Sequence, residues 1–306
     1  MAIHHFDPKH YYSTIGPHEP VMRIHSGDSV STSTIDARGA DKDLNRLALG
    51  SNPMTGPFYI EEAEPGDTLE VVFDHLLPNR NTGWTSSVLS HQVMEPEQFV
   101  KMPPSELLIW DLDLARRTVR LSKPTAGLGD FKHDMAPFLG CFGVAPAKKE
   151  AISTASSGEY GGNMDYRRFT QGVKIYFPVS EPGALLFMGD GHALQGDGEI
   201  VGTGIETSFD VKFTVKVIKG KTIKWPRGED KEFIFTVGNT KPLENAVKHA
   251  TSEMVRWLME DYGLDYVEAS TLLGQCVEYD LGNIFNPAYT MVCKVRKTVL
   301  AGLTKK

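Results

Sequence analysis

The chain has 306 residues, 41% of them hydrophobic and 23% charged, with a formal net charge of −7, a make-up that fits a globular protein with room for a large core. Its basic residues are scattered with no basic stripe, which argues against nucleic-acid binding. Three cysteines, Cys141, Cys276 and Cys293, make no disulfide framework and fit a reducing compartment, so a cytoplasmic location is expected.

The first twenty residues, "MAIHHFDPKHYYSTIGPHEP", lack the apolar core of a signal peptide, and His4, His5 and His10 read as solvated. No apolar run approaches the ~18 residues of a membrane span, so no membrane partner is expected. Short alternating runs then follow one another: 28–36, 68–76, 115–121, 172–179, 184–190, 207–218 and 232–239. In the longest, Val211, Phe213, Val215 and Val217 share one face and Lys212 and Lys216 the other, the mark of a half-buried strand. Many such strands with Gly and Pro turns between them predict a β-sandwich or barrel.

From about residue 240 the period changes. Leu243, Val247, Ala250, Met254, Trp257 and Leu258 predict an amphipathic helix, with Thr240 as its N-cap and Gly263 as its stop. Asp265 and Glu268 have the spacing of a capping box for a second helix running to about Leu273. The stretch 289–300 alternates again and reads as a final strand. The expected class is therefore mainly β with a smaller α/β C-terminal part. Residues 1–240 would form the body carrying the site loops, and 241–306 a helical pair plus strand packed on it.

One stretch stands out: "MGDGHALQGDGEIVGTG", residues 188–204. His192 sits between Asp190 and Asp197 in a Gly-rich loop after an apolar strand. A neutral imidazole there can bind zinc, or it can merely bridge a turn. In "GEYGGNMDY", residues 158–166, Gly161 and Gly162 allow close backbone approach to a ligand, and Asn163 and Asp165 share a face if the segment is extended. An Asx-turn would explain the same residues. Glu199 and Glu206 follow the His192 loop, and either can serve as general base or as a plain strand carboxylate. Cys141, with His133 or His192 as base, is a rival nucleophile, although a free Cys is more often a small buried hydrophobe. His75 lies near a strand end and ranks below His192.

The stretches "GPFYIEEAEPGDTLEV" (56–71), "GVAPAK" (143–148), "GEYGGNMDY" and "MGDGHALQGDGEIVGTGIE" (188–206) together resemble the acetamidase/formamidase family. "STIDARG" (33–39) and the helical segment after residue 246 resemble it too. The likeness runs from roughly residue 20 to 300, and the length resembles the shorter, acetamidase-like branch. It implies hydrolysis of small aliphatic amides to carboxylate and ammonia, a bound metal, and a homodimer or higher homo-oligomer. On this resemblance Asp36 joins Asp165 and His192 as a metal ligand, with Glu199 or Glu206 as the catalytic carboxylate. Asn163, Asp190, Gly161 and Gly162 would then lie beside substrate or ligands. An Asp/Asp/His set suits zinc, and an oxygen-only second site would suit calcium. A Cys141-dependent amidase and a non-catalytic β protein binding metal or small ligands are the other readings.

Overall fold

The computed structural model describes residues 1–50, 52–129 and 131–303. Two large sheets carry the fold, and neither closes into a barrel. The first has nine strands. Within it Phe209–Ile218 pairs antiparallel with Ser29–Thr34 on one side and Thr68–Pro78 on the other. Its period is that of the sequence: Phe209, Val211, Phe213, Val215 and Val217 are buried, and Asp210 and Lys216 are exposed. Beyond Lys174–Pro178 and Arg227–Glu229, this sheet continues through Phe233–Thr240 and Tyr289–Arg296 to Glu278–Asn283. The chain after residue 240 thus adds strands to the sheet of the body.

The second sheet has Leu186–His192 near its middle, between Phe138–Gly143 and Glu206–Thr207. The sheets pack through interlocked aromatic rings. Phe58 meets Phe213 edge-on at 5.0 Å, and Phe142 meets Phe73 at 5.1 Å and Phe177 at 5.6 Å. Such edge-to-face pairs stabilise beyond the area they bury, about 0.5–1.5 kcal/mol each.

The helix Leu243–Tyr262 lays Ala250, Met254, Trp257 and Leu258 on the strands Phe233–Thr240 and Tyr289–Arg296. It stops at Gly263, whose φ of +68° suits a left-handed cap. The helix Tyr266–Cys276 carries the expected capping box: Asp265 accepts from the Glu268 N–H, and Glu268 accepts from the Asp265 N–H, each at 2.8 Å. Two expectations are corrected here. Thr240 ends a strand, and Pro242, which gives no side-chain cap, precedes the helix. The stretch 289–300 is strand only to Arg296, then turns into the short helix Lys297–Leu300. The strand Glu278–Asn283 carried no clear period. Among the described residues no helix is long and apolar enough to cross a membrane.

Candidate active site

Alternation along Leu186–His192 decides where the site lies. A Cβ on Gly191 would strike Phe209 of the opposite sheet, so Gly191 faces the space between the sheets. Asp190 and His192 flank it and point to the other face. On the neighbouring strand Phe138–Gly143, Gly140 faces the same way. A Cβ there would run into Asp165 Oδ1, come within 2.8 Å of Asp190 Oδ2 and lie 3.0 Å from His192 Cε1. Glycine at 140 leaves the room that these groups share. Glu206 is the cross-strand partner of His192. Asp165 follows the strand Gly161–Asn163 with a φ of +45°. Glu199 sits in the loop between the strands of Asp190 and Glu206, itself at a φ of +49°. That loop is tied down where Gly198 N–H donates to Leu281 O and Ile284 N–H donates to Gly198 O. All five acid and imidazole side chains are buried.

The imidazole is held in one tautomer. Gln195 Nε2 donates to Asp165 O at 2.8 Å, so Gln195 Oε1 must be the acceptor facing His192 Nδ1, also at 2.8 Å. Nδ1 therefore carries a hydrogen, and Nε2 faces the carboxylates, where its lone pair would be free for a bound cation. Nε2 lies 2.9 Å from Glu206 Oε1 and 3.4 Å from Asp190 Oδ1, yet it is aligned for a hydrogen bond with neither. Two donors each about 2.0–2.2 Å from one zinc ion, at near-tetrahedral to square angles, stand roughly 2.8–3.6 Å apart. The observed spacings match. Asp165 Oδ1, Glu199 Oε2 and Glu206 Oε2 also lack hydrogen-bond partners among the described residues. Two overlapping sets can grip an ion: Asp190, His192 and Glu206, or Asp165, His192 and Glu199. Both include the imidazole, so neither is the oxygen-only site that calcium favours.

Four buried carboxylates around one imidazole are an excess of negative charge, and they resist ionisation. Burial, with Asp190 adding to it, pushes Asp165 up to about 7. Burial pushes Glu206 up to about 8. Glu199 is driven well above the usual carboxylate range by burial and by Asp165. Asp190 goes the other way: burial opposes it, but the charge of His192 beside it holds it low. His192 in turn is held well above the usual imidazole range by Glu206 and Asp190, against the effect of burial. A divalent cation would relieve the carboxylates directly.

Asp36 does not join this cluster. Its Oδ1 accepts from the N–H groups of Arg38 and Ala40 at 2.9 Å each. Its Oδ2 accepts from Arg80 Nη2 at 2.6 Å and Trp84 Nε1 at 3.2 Å. Both oxygens are committed, so its expected role as ligand gives way to that of a buried anchor for Arg80. Gly161 and Gly162 are also explained without a ligand. They have φ of +93° and +91°, and a Cβ on either would collide with neighbouring strands or Phe177. Asn163 lines the cluster indirectly, its Oδ1 accepting from Asn52 Nδ2 at 2.9 Å. Asp197 points outward to Arg167. Cys141 is fully buried, donates weakly to Thr154 O, and its thiol is pushed well above its ordinary range by burial. His133 and His75 are exposed.

Sequence reasoning missed Gly140, Gln195, Asn52 and Asn286. Asn286 Nδ2 donates to Asp165 Oδ2 at 2.5 Å from the turn joining the last two strands. Gln195 was within reach, three residues after His192 in the conspicuous loop. Asn286 was not, because its approach depends on a sheet that spans the chain.

A family model described as "Acetamidase/Formamidase family" matches residues 147–253. Among solved structures, an acetamidase from Yersinia enterocolitica is 32% identical, covering 97% of this chain and 93% of that one, with a TM-score of 0.85. An acetamidase from Mycolicibacterium smegmatis is 41% identical over 95 residues, which is 31% of this chain and 23% of that protein. A formamidase candidate of Schizosaccharomyces pombe is 24% identical over 252 residues, 64% of this chain. The chain spans 61% of that relative's length.

Proposed function

The chain belongs to the acetamidase/formamidase family, and from that premise we propose that it hydrolyses small aliphatic amides to carboxylate and ammonia at the buried cluster around His192. The observation that carries this reading is the buried cluster in front of Gly140, where His192 Nε2, without a hydrogen-bond partner among the described residues, stands 2.9 Å from Glu206 Oε1 and 3.4 Å from Asp190 Oδ1. We assign Asp190, His192 and Glu206 as the ligands and zinc as the ion, with Asp165 and Glu199 beside it.

Amide hydrolysis needs a nucleophile, stabilisation of developing charge on the carbonyl oxygen, and a proton for nitrogen. A divalent cation bound here would polarise the carbonyl and lower the pKa of water from 15.7 to about 7. The side chains do the rest. Gln195 holds the imidazole with Nε2 forward. Asp165 can take a proton near neutrality, and Asn286 fixes its Oδ2 so that Oδ1 faces the site. Glu199, driven well above the usual carboxylate range by burial and by Asp165, is placed to pass a proton to the departing nitrogen. Burial of the whole set excludes bulk water and strengthens each electrostatic interaction. The Cys141 route has no such support: the thiol stays protonated, and His192 turns its nitrogens to Gln195 and the carboxylates.

The test is ammonia release from formamide, acetamide and propionamide, before and after chelation, with metal content measured alongside. Turnover lost on chelation and restored by zinc is expected. Full turnover from metal-stripped protein, or inactivation by a thiol reagent but not by chelation, would overturn the assignment.

A further inference from the structure

Asp165, Asp190, His192, Glu199 and Glu206 are each at most 5% exposed, so an amide reaches them only if part of their cover moves. The loop Glu199–Gly204 is such a cover. At its start the Glu199 carboxylate lies within the cluster. At its end Gly204 is pressed on the imidazole: a Cβ there would stand 2.6 Å from His192 Cγ and Nδ1. Gly204 N–H also donates to Glu206 Oε1 at 2.9 Å. Between these two contacts the loop borders open room. Val201 lines a cavity of about 670 Å³, whose other walls include Phe285 and, from the connection between the strands Thr82–Ser86 and Leu107–Asp113, Val88, Leu89, Phe99 and Met102.

That connection crosses the loop as a strap. Ser90 N–H donates to Ile200 O at 2.8 Å, and Ser86 N–H, where the strap begins, donates to Thr203 Oγ1 at 2.9 Å. The root of the loop is fixed, because Gly198 bonds to Leu281 and Ile284. Its crest is not: Ile200 keeps 38% of its surface exposed, so lifting it gives up little buried area. Gly202, with a φ of +77°, passes so close to the Phe285 ring that a Cβ would stand 2.6 Å from it. We propose that residues 199–204 are the gate of the site. The loop pivots at Gly198 into the cavity behind Val201, lifts Gly204 off His192 and admits the amide. On closing it returns the Glu199 carboxylate to the cluster, so that the proton donor is in place only when the site is shut.

This gate rests on the amide-hydrolase reading, but amide hydrogen exchange reads its motion with no substrate present. Gly202 N–H, bonded to Glu199 O at 2.7 Å, Gly204 N–H and Ser90 N–H should exchange at least about a hundredfold faster than the ladder amides of Leu186–His192. Val100 and Ser105 are exposed wall residues of the cavity, so Val100→Trp and Ser105→Trp fill it without touching the core. Each should slow exchange of the loop amides and lower kcat/KM for acetamide by about tenfold. A merely damaged strap would speed the exchange instead. Thr203→Val removes the acceptor of Ser86 N–H and should speed loop exchange about fivefold, the worth of one neutral hydrogen bond; it also serves if the tryptophan variants fail to fold. Loop amides as protected as those of the strand, or tryptophan variants with wild-type exchange and turnover, would overturn the gate. Fast loop exchange in a protein that releases no ammonia would overturn the catalytic reading and leave the gate standing.

Discussion

Gly140→Ala is the sharpest probe of the site, because it adds one methyl group and nothing else. The backbone at Gly140 lies outside the left-handed region, so alanine meets no conformational penalty there. The new Cβ would overlap Asp165 Oδ1 and stand 2.8 Å from Asp190 Oδ2, which is about 0.5 Å inside ordinary contact for the latter. Its flexible neighbours are the carboxylates themselves, and they must give way. Moving one carboxylate oxygen from about 2.1 Å to about 2.6–3.1 Å from a cation, at an effective dielectric constant of about 20, loses roughly 2 kcal/mol, or about thirty-fold in affinity. The overpacking itself costs folding about 1–3 kcal/mol. The variant should therefore fold, with a modestly lower melting temperature, yet bind zinc about thirty-fold more weakly and lose most amide turnover. Metal analysis after dialysis against a zinc buffer, with calorimetric melting, checks both halves. A Gly140→Ala protein with full zinc content and wild-type turnover would refute the shared-room argument.

Three further outcomes are expected. Glu199→Gln keeps the shape but not the proton, so turnover should fall at least about a hundred-fold with zinc content unchanged, read by ammonia release and metal analysis. Arg80→Ala leaves the Asp36 carboxylate buried without its cation and should cost about 3–5 kcal/mol in denaturant unfolding, far more than an exposed pair would. Without metal, the folded chain holds protons on Asp165 up to about pH 7 and on Glu206 up to about pH 8, whereas the unfolded chain releases them above about pH 4–4.5. The folded state thus binds more protons through this window, and stability falls as pH rises through it, by on the order of 4 kcal/mol for these coupled groups. Asp190, held low, contributes in the opposite sense only below about pH 4. The melting temperature of the chelated protein should drop from pH 5 to pH 8, and saturating zinc should flatten the trend. A melting temperature that is level or rises over that range without metal would contradict the charge excess.

What the sequence made legible follows from the range of the interactions involved. Alternation in 209–218 and the capping pair Asp265 and Glu268 are local, and both stand in the structure as read. His192, Asp190 and Glu206 were visible because one strand, one loop and the adjoining strand bring them together within seventeen residues. Asp36 misled because a carboxylate at a strand end looks alike whether it awaits an ion or an arginine. The arginine in question comes 44 residues later, and nothing near Asp36 announces it. Gly140 gave no signal at all: a glycine in a strand shows its purpose only when the atoms it avoids are in place. Asn52 and Asn286 lie more than a hundred residues from the partners they hold, Asn163 and Asp165.

The anchor at Asn286 has a consequence for the order of assembly. Synthesis delivers Gly140, then Asp165, then the stretch from Asp190 to Glu206, and only eighty residues after Glu206 the amide that steadies Asp165. Without the strands Glu278–Asn283 and Tyr289–Arg296 and the turn between them, Asp165 loses its donor from Asn286, and the Glu199 loop loses its ties to Leu281 and Ile284. A chain stopped just short of that turn would keep every proposed ligand and still fail to hold them still. The turn that carries Asn286 acts as a latch on machinery laid down well before it in the chain.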